Sequence, residues 1–197
     1  MFVKVCGLRT ARDVEAAVRA GADAVGFLLT TSPRQVTPAE AAALAEQVPP
    51  HVLTVAVFAG EPPETVHAEA TKAGVRAIQL HGDHPAADFA TLRERLDAKL
   101  IRAVAGASGA PLECGAYGED ILIVDAPIPG SGHTWDTSGL APTGHWLLAG
   151  GLTAENVGAA VSAVRPWGVD VSSGVEVARG VKDPALIARF VAAAKAA

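Results

Sequence analysis

Long apolar runs are missing from this 197-residue chain, although half of its residues are hydrophobic. Nothing approaches the roughly 20 consecutive apolar residues that span a bilayer, and the N-terminus lacks a signal-peptide pattern. A soluble, cytoplasmic protein with no membrane partner is expected. Basic runs are missing too: 16 Lys and Arg are scattered among 21 Asp and Glu, for a formal net charge of -5. Without a cationic stripe interleaved with aromatics, a phosphodiester backbone cannot be neutralised, which excludes nucleic acid as a partner. Cysteine is scarce. Cys6 and Cys114 lie far apart and neither has metal-ligand spacing, so a disulfide framework or a zinc site has no support and at least one thiol is free. No linker or low-complexity tract divides the chain, whose length allows one sizeable core and is short for two ordinary domains. Residues 1–197 therefore read as one domain.

What is present is a repeat of short apolar, β-branched runs: Phe2–Cys6, Ala24–Leu28, Val52–Phe58, Ala77–Leu80, Leu100–Val104, Ile121–Val124, Trp146–Ala149 and Val169–Val171. Near-continuous apolar runs of this length suit strands buried on both faces. Ala-rich stretches of helical period separate most of them, at Thr10–Ala20, Pro38–Gln47, Glu64–Ala73, Ala86–Leu96 and Ala154–Val164, with a further helix at the Ala-rich C-terminal end. Eight β-then-α units of roughly 25 residues fit a compact (β/α)8 TIM barrel. The fifth and sixth units are weak: Gly106–Gly118 is rich in glycine and Thr137–Pro142 leaves room for about one helical turn, so a truncated or degenerate helix is expected there. The rival, a doubly wound open sheet, announces itself by a glycine-rich turn after its first strand, and Cys6-Gly7-Leu8-Arg9-Thr10 is not that turn.

Barrel active sites gather at the C-terminal ends of the strands. The polar residues there are Lys4 and Cys6 on strand one, Gln79 and His81 on strand four, Asp125 on strand six, and Asp170 and Ser172 on strand eight. Paired positions two apart share one face of a strand, so an inward face brings all of them to one mouth. A lone cysteine after an apolar strand is usually a small buried hydrophobe. Lys4 on the same face changes that, because a neighbouring ammonium is expected to lower the thiol pKa and make a thiolate available as base. Asp125, at the end of an apolar run, has the partly dry setting that lets a carboxylic acid hold its proton near neutral pH. Two glycine-rich stretches follow strands seven and eight, Ala149-Gly150-Gly151-Leu152-Thr153 and Asp170-Val171-Ser172-Ser173-Gly174-Val175-Glu176, each leading toward a helix. Both read as anion cradles, in which freed main-chain N–H groups at Gly150, Gly151, Ser172, Ser173 and Gly174 bind phosphate without basic side chains. The run Pro129-Gly130-Ser131-Gly132-His133-Thr134 adds a third wall through Gly132. Finally, Pro33 stiffens the loop Ser32-Pro33-Arg34, which holds a guanidinium ready to fork onto a carboxylate.

From end to end the chain resembles the phosphoribosylanthranilate isomerase family of tryptophan biosynthesis. The resemblance is carried by Lys4-Val5-Cys6-Gly7-Leu8, Gly26-Phe27 with Ser32-Pro33-Arg34, Gln79-Leu80-His81-Gly82, Leu148-Ala149-Gly150-Gly151-Leu152 and Asp170-Val171-Ser172-Ser173-Gly174-Val175-Glu176. It implies Cys6 as general base, Asp125 as general acid, Arg34 as a contact to the anthranilate carboxylate and the two glycine-rich loops as the phosphate site. Lys4, Gln79, His81 and Asp170 complete the substrate-binding set. It also implies an Amadori rearrangement in which the imine is the electron sink, so no metal and no organic cofactor is needed. The chain departs from the family after Asp125, where Pro129 replaces a glycine and Trp135 replaces a phenylalanine. Two rivals stand beside this reading: the related aminoaldose isomerisation of histidine biosynthesis, in which aspartates end strands one and five, and a non-catalytic phosphate-binding barrel. The expected partner is a small phosphorylated molecule, with the protein a monomer or a homodimer.

Overall fold

The computed structural model describes residues 1–128 and 135–197. Eight parallel strands, β1 (Phe2–Cys6), β2 (Ala24–Leu28), β3 (Leu53–Phe58), β4 (Ala77–His81), β5 (Lys99–Ala105), β6 (Ile121–Asp125), β7 (Trp146–Leu148) and β8 (Gly168–Val171), close into a barrel in chain order. The ring is sealed by β8 on β1, with Lys4 opposite Asp170. Alternation sorts the side chains. Ala24, Val55, Val57, Ala77, Ile101, Ala103, Ile123 and Leu147 fill the barrel interior, while Val3, Val5, Val25, Phe27, Phe58, Ile78, Leu80 and Leu122 pack outward in the layer shared with the helices. Both faces are dry, as in other parallel sheets.

The helices are α1 (Ala11–Ala20), α2 (Pro38–Ala45), α3 (Pro63–Ala73), α4 (Ala86–Arg95), α5 (Val157–Val164) and α6 (Pro184–Lys195). Their starts follow local chemistry. Thr10 caps α1 by accepting from the Asp13 N–H, Thr37 and Glu40 form a capping box at α2, and Asp183 caps α6 ahead of Pro184. The α5 helix begins three residues later than the periodicity suggests. Asn156 holds the preceding chain in a loop: its Oδ1 accepts from the Thr153 N–H at 2.8 Å and its Nδ2 donates to the Gly151 carbonyl at 2.9 Å.

Among the described residues no helix follows β5 or β6. Residues 106–120 run in turns over the outer face of β5, where Arg102 points outward with 1% of its surface exposed. Its Nε donates to Glu119 Oε1 at 2.6 Å, an Nη donates to the Glu113 carbonyl at 3.1 Å, and the guanidinium lies 4.6 Å from the Tyr117 ring centroid. A buried ion pair and a cation–π contact cover the strand where a helix covers its neighbours. The chain after β8 also differs from expectation. Instead of a short helix it makes a single 3₁₀ turn (Ser173–Val175) and an antiparallel hairpin of β9 (Glu176–Ala178) and β10 (Val181–Lys182). No helix among the described residues is long and apolar enough to cross a membrane.

Candidate active site

Strand β1 sends Lys4 and Cys6 into the barrel. The Lys4 ammonium, fully buried, donates to Asp170 Oδ2 at 2.9 Å; burial is the largest influence and pulls its pKa down, but Asp170 and Cys6 together overcome it and hold the pKa above the ordinary value. Among the described residues the second oxygen, Asp170 Oδ1, has no hydrogen-bond partner, and neither has Gln79 Oε1, itself buried inside the barrel. Both are hydrogen-bond acceptors. Gly26 on β2 makes room for the thiol: a Cβ there would stand 2.9 Å from Cys6 Sγ. The thiol pKa is raised, contrary to the expectation from its lysine neighbour. Burial is the largest cause, Lys4 pulls the other way, and the Asp170 carboxylate cancels part of that pull. An ammonium already paired with a carboxylate is a weak activator.

Asp125 ends β6, its carboxyl mostly buried, and its pKa rises to about 6. Burial is the main cause and the charge of Asp170 adds to it, against one hydrogen bond from the Ala126 N–H at 2.7 Å. His81 ends β4, and burial followed by the Lys4 charge lowers its pKa, so the ring is neutral at pH 7.

Beside these groups lies a small cleft lined by Asp125, Gly150, Gly151, Asp170, Ser173 and Gly174. The loops after β7 and β8 meet there so closely that a Cβ on Gly174 would fall 1.8 Å from the Leu152 carbonyl oxygen. The main-chain N–H groups of Gly151, Ser173 and Gly174 donate to no backbone acceptor among the described residues. Free amides in a concave site are what an oxyanion requires. Gly132, expected to add a wall, lies outside the described residues. Trp135 donates its indole N–H to the Ala149 carbonyl at 3.0 Å. The ring packs where Cβ atoms on Gly106 and Gly150 would stand.

Arg34 is buried in the loop after β2, but its anchor is not the proline. Ser32 Oγ accepts from the Arg34 N–H at 3.1 Å, and Glu176 on β9 takes the side chain. Glu176 and Lys182, neither given a role by sequence reasoning, belong to the site. Glu176 closed a recognisable motif, whereas Lys182 lies in a short hairpin with no periodic signal. The structure thus gathers Lys4, Cys6, Gln79, His81, Asp125 and Asp170 at one end of the barrel, with Arg34 and the two glycine-rich loops around them.

A closed (β/α)8 barrel with a buried thiol, a carboxyl that keeps its proton toward neutral pH and an amide-lined cradle defines an enzyme of the acid–base isomerase class. The family model "N-(5'phosphoribosyl)anthranilate (PRA) isomerase" matches residues 3–193. The chain is 42% identical over 208 residues to N-(5'-phosphoribosyl)anthranilate isomerase of Dechloromonas aromatica, covering 99% of this chain and 96% of that one. It superposes on the crystal structure of TrpF from Jonesia denitrificans with a TM-score of 0.91 and 48% identity, covering 99% and 97% of the two chains. A phosphoribosyl anthranilate isomerase in complex with reduced 1-(o-carboxyphenylamino)-1-deoxyribulose 5-phosphate is also similar, with TM-score 0.85, 34% identity and full coverage of both. The chain belongs to the phosphoribosylanthranilate isomerase family.

Proposed function

We propose that the protein converts N-(5'-phosphoribosyl)anthranilate to 1-(2-carboxyphenylamino)-1-deoxyribulose 5-phosphate, the third step of tryptophan synthesis from chorismate, with Asp125 as acid and Cys6 as base. The observation that carries this reading is the placement of a protonatable carboxyl and a thiol around one ion pair, Lys4 with Asp170, beside an anion cradle. Asp125 gives its proton to the furanose ring oxygen, which opens the ring to a Schiff base. Cys6 as thiolate then takes the proton from C2′, the electrons move into the imine, and the enolamine tautomerises to the ketone. The unpartnered oxygen of Asp170 and that of Gln79 are placed to accept sugar hydroxyls, while neutral His81 lines the mouth. Gly150, Gly151, Ser172, Ser173 and Gly174 hold the phosphate, and Arg34 takes the anthranilate carboxylate. The histidine-pathway reaction is disfavoured because β1 ends in Cys6 and β5 in Ala105, so neither aspartate of that pair is present.

The test compares kcat/KM on both substrates in wild type and Arg34→Ala. The reading predicts negligible turnover of the bisphosphorylated histidine-pathway substrate. It also predicts a KM for phosphoribosylanthranilate raised by about 1.5–3 kcal/mol in the variant, the range for a charge-assisted hydrogen bond. Comparable wild-type activity on both substrates, or an unaltered KM in the variant, contradicts it.

A further inference from the structure

A carboxylate has room for about four hydrogen bonds, and one that receives all four while buried has nothing left for chemistry. Glu176, 5% exposed, is in that state. Its Oε1 accepts from Arg34 Nε at 2.6 Å and from Lys182 Nζ at 2.7 Å. Its Oε2 accepts from Arg34 Nη2 at 2.9 Å and from the Gly180 N–H at 3.1 Å. Burial alone would raise its pKa, but Arg34 and Lys182 overcome that and hold it at about 2. It stays an anion at every working pH.

The geometry of the guanidinium makes this consequential. Arginine presents two bidentate edges, one formed by Nε with one Nη and one formed by the two Nη atoms. Glu176 occupies the first edge completely. The second, formed by Nη1 and the remaining hydrogen of Nη2, has no protein partner among the described residues. The stem is fixed from below as well, since a Cβ on Gly7 would stand 2.7 Å from Arg34 Cδ. Gly7 adopts φ +79°, a conformation that suits glycine. An arginine clamped on one edge and laid over the backbone beside Cys6 can turn its outer edge in one direction only.

The same carboxylate reaches the other loop. Lys182, 1% exposed, donates to Glu176 and also to the Ser172 carbonyl at 2.8 Å. In a trans peptide the C=O and the next N–H point opposite ways. Drawing the Ser172 carbonyl toward Lys182 therefore turns the Ser173 N–H away from the lysine, and Ser173 lines the cleft.

We infer that Glu176 is a positioning residue: its carboxylate, saturated by Arg34, Lys182 and the Gly180 N–H, aims the free edge of Arg34 at the substrate carboxylate. Resting on the isomerase reading above, the inference adds a determinant of substrate binding that touches no substrate atom.

Glu176→Gln leaves two buried cations facing a neutral amide, which costs stability whatever the role of the residue. The decisive comparison uses Lys182→Met and the double variant Glu176→Gln/Lys182→Met. The double variant removes one charge of each sign and so restores the wild-type net charge of the buried cluster around Arg34. Melting temperature, kcat and KM for phosphoribosylanthranilate are measured in all four proteins. Positioning predicts that the double variant regains most of the melting temperature lost in Glu176→Gln. Its KM stays about tenfold or more above that of Lys182→Met, with a smaller change in kcat. Glu176→Asp, which keeps the charge but shortens the reach, recovers part of the KM. A KM in the double variant matching that of Lys182→Met overturns the inference, as does a KM that returns in step with melting temperature. Absence of turnover in wild type would instead overturn the isomerase reading, so the two failures are distinguishable.

Discussion

Asp125 and Cys6 come to their proposed roles from opposite sides of neutrality. Asp125 titrates near 6 and the thiol above its ordinary range, in both cases mainly because burial disfavours the charged form. With one proton shared between them, the prevailing arrangement is carboxylate with thiol, and the one the proposed mechanism requires, protonated Asp125 with thiolate Cys6, is its minority tautomer. The fraction of that tautomer is constant between the two pKa values. The kcat/KM profile is therefore expected to be bell-shaped, rising to a plateau near pH 6 and falling only above the ordinary thiol range. A profile already declining through pH 7 would contradict this. Stability is tied to the same group. A carboxyl whose pKa is higher folded than unfolded binds its proton more tightly in the folded state, so stability falls as pH rises from about 4 to about 6. The loss amounts to at most about 3 kcal/mol. Asp125→Asn removes that penalty: chemical denaturation should find the variant about 1–3 kcal/mol more stable than wild type above pH 6, the difference vanishing toward pH 4. An equal difference at both pH values would show that Asp125 is not held in a dry site.

Where a helix is missing, a strand needs another cover. On β5 that cover is Arg102 with Glu119 and Tyr117. Glu119→Ala strands a buried guanidinium and should cost about 3–5 kcal/mol of unfolding free energy. KM should be unchanged, because Arg102 faces away from the barrel interior; a loss under about 1 kcal/mol would mean the pair contributes little. Loop contacts are as strict on the other side of the barrel. Gly174→Ala cannot seat its methyl against Leu152, so inorganic phosphate should bind about tenfold or more weakly, measured by calorimetry or as a competitive inhibitor. These elements differ in how readable they were. The eight barrel strands and the six helices of the described residues announced themselves through apolar runs and helical period. The β9–β10 hairpin did not, since three residues against two is too short for alternation to register. The late start of α5 depends on what the Asn156 side chain bonds to, and periodicity carries no such information.

On the scale of the whole barrel, strand ends were the readable part of the site. Lys4, Cys6, Gln79, His81, Asp125 and Asp170 could be named because inward positions at the C-terminal end converge whatever the loops do. The pairings among charges could not. Lys4 finds Asp170 across 166 positions and Arg34 finds Glu176 across 142, and several acids in the chain were equally eligible partners. The activation of Cys6 by Lys4 was overestimated first because burial of the thiol raises its pKa, and then because the lysine's charge is shared with a carboxylate that sequence could not place beside it. The central claim is that a thiol and a carboxyl at this mouth exchange protons with phosphoribosylanthranilate. The most direct test follows product formation from that substrate by purified wild type, Cys6→Ser and Asp125→Asn at pH 7. Wild type should turn over, and each variant should lose about two to four orders of magnitude in kcat while still binding product, because the pocket keeps its shape and loses only its proton carriers. An inactive wild type, or a Cys6→Ser enzyme working near the wild-type rate, would contradict the account.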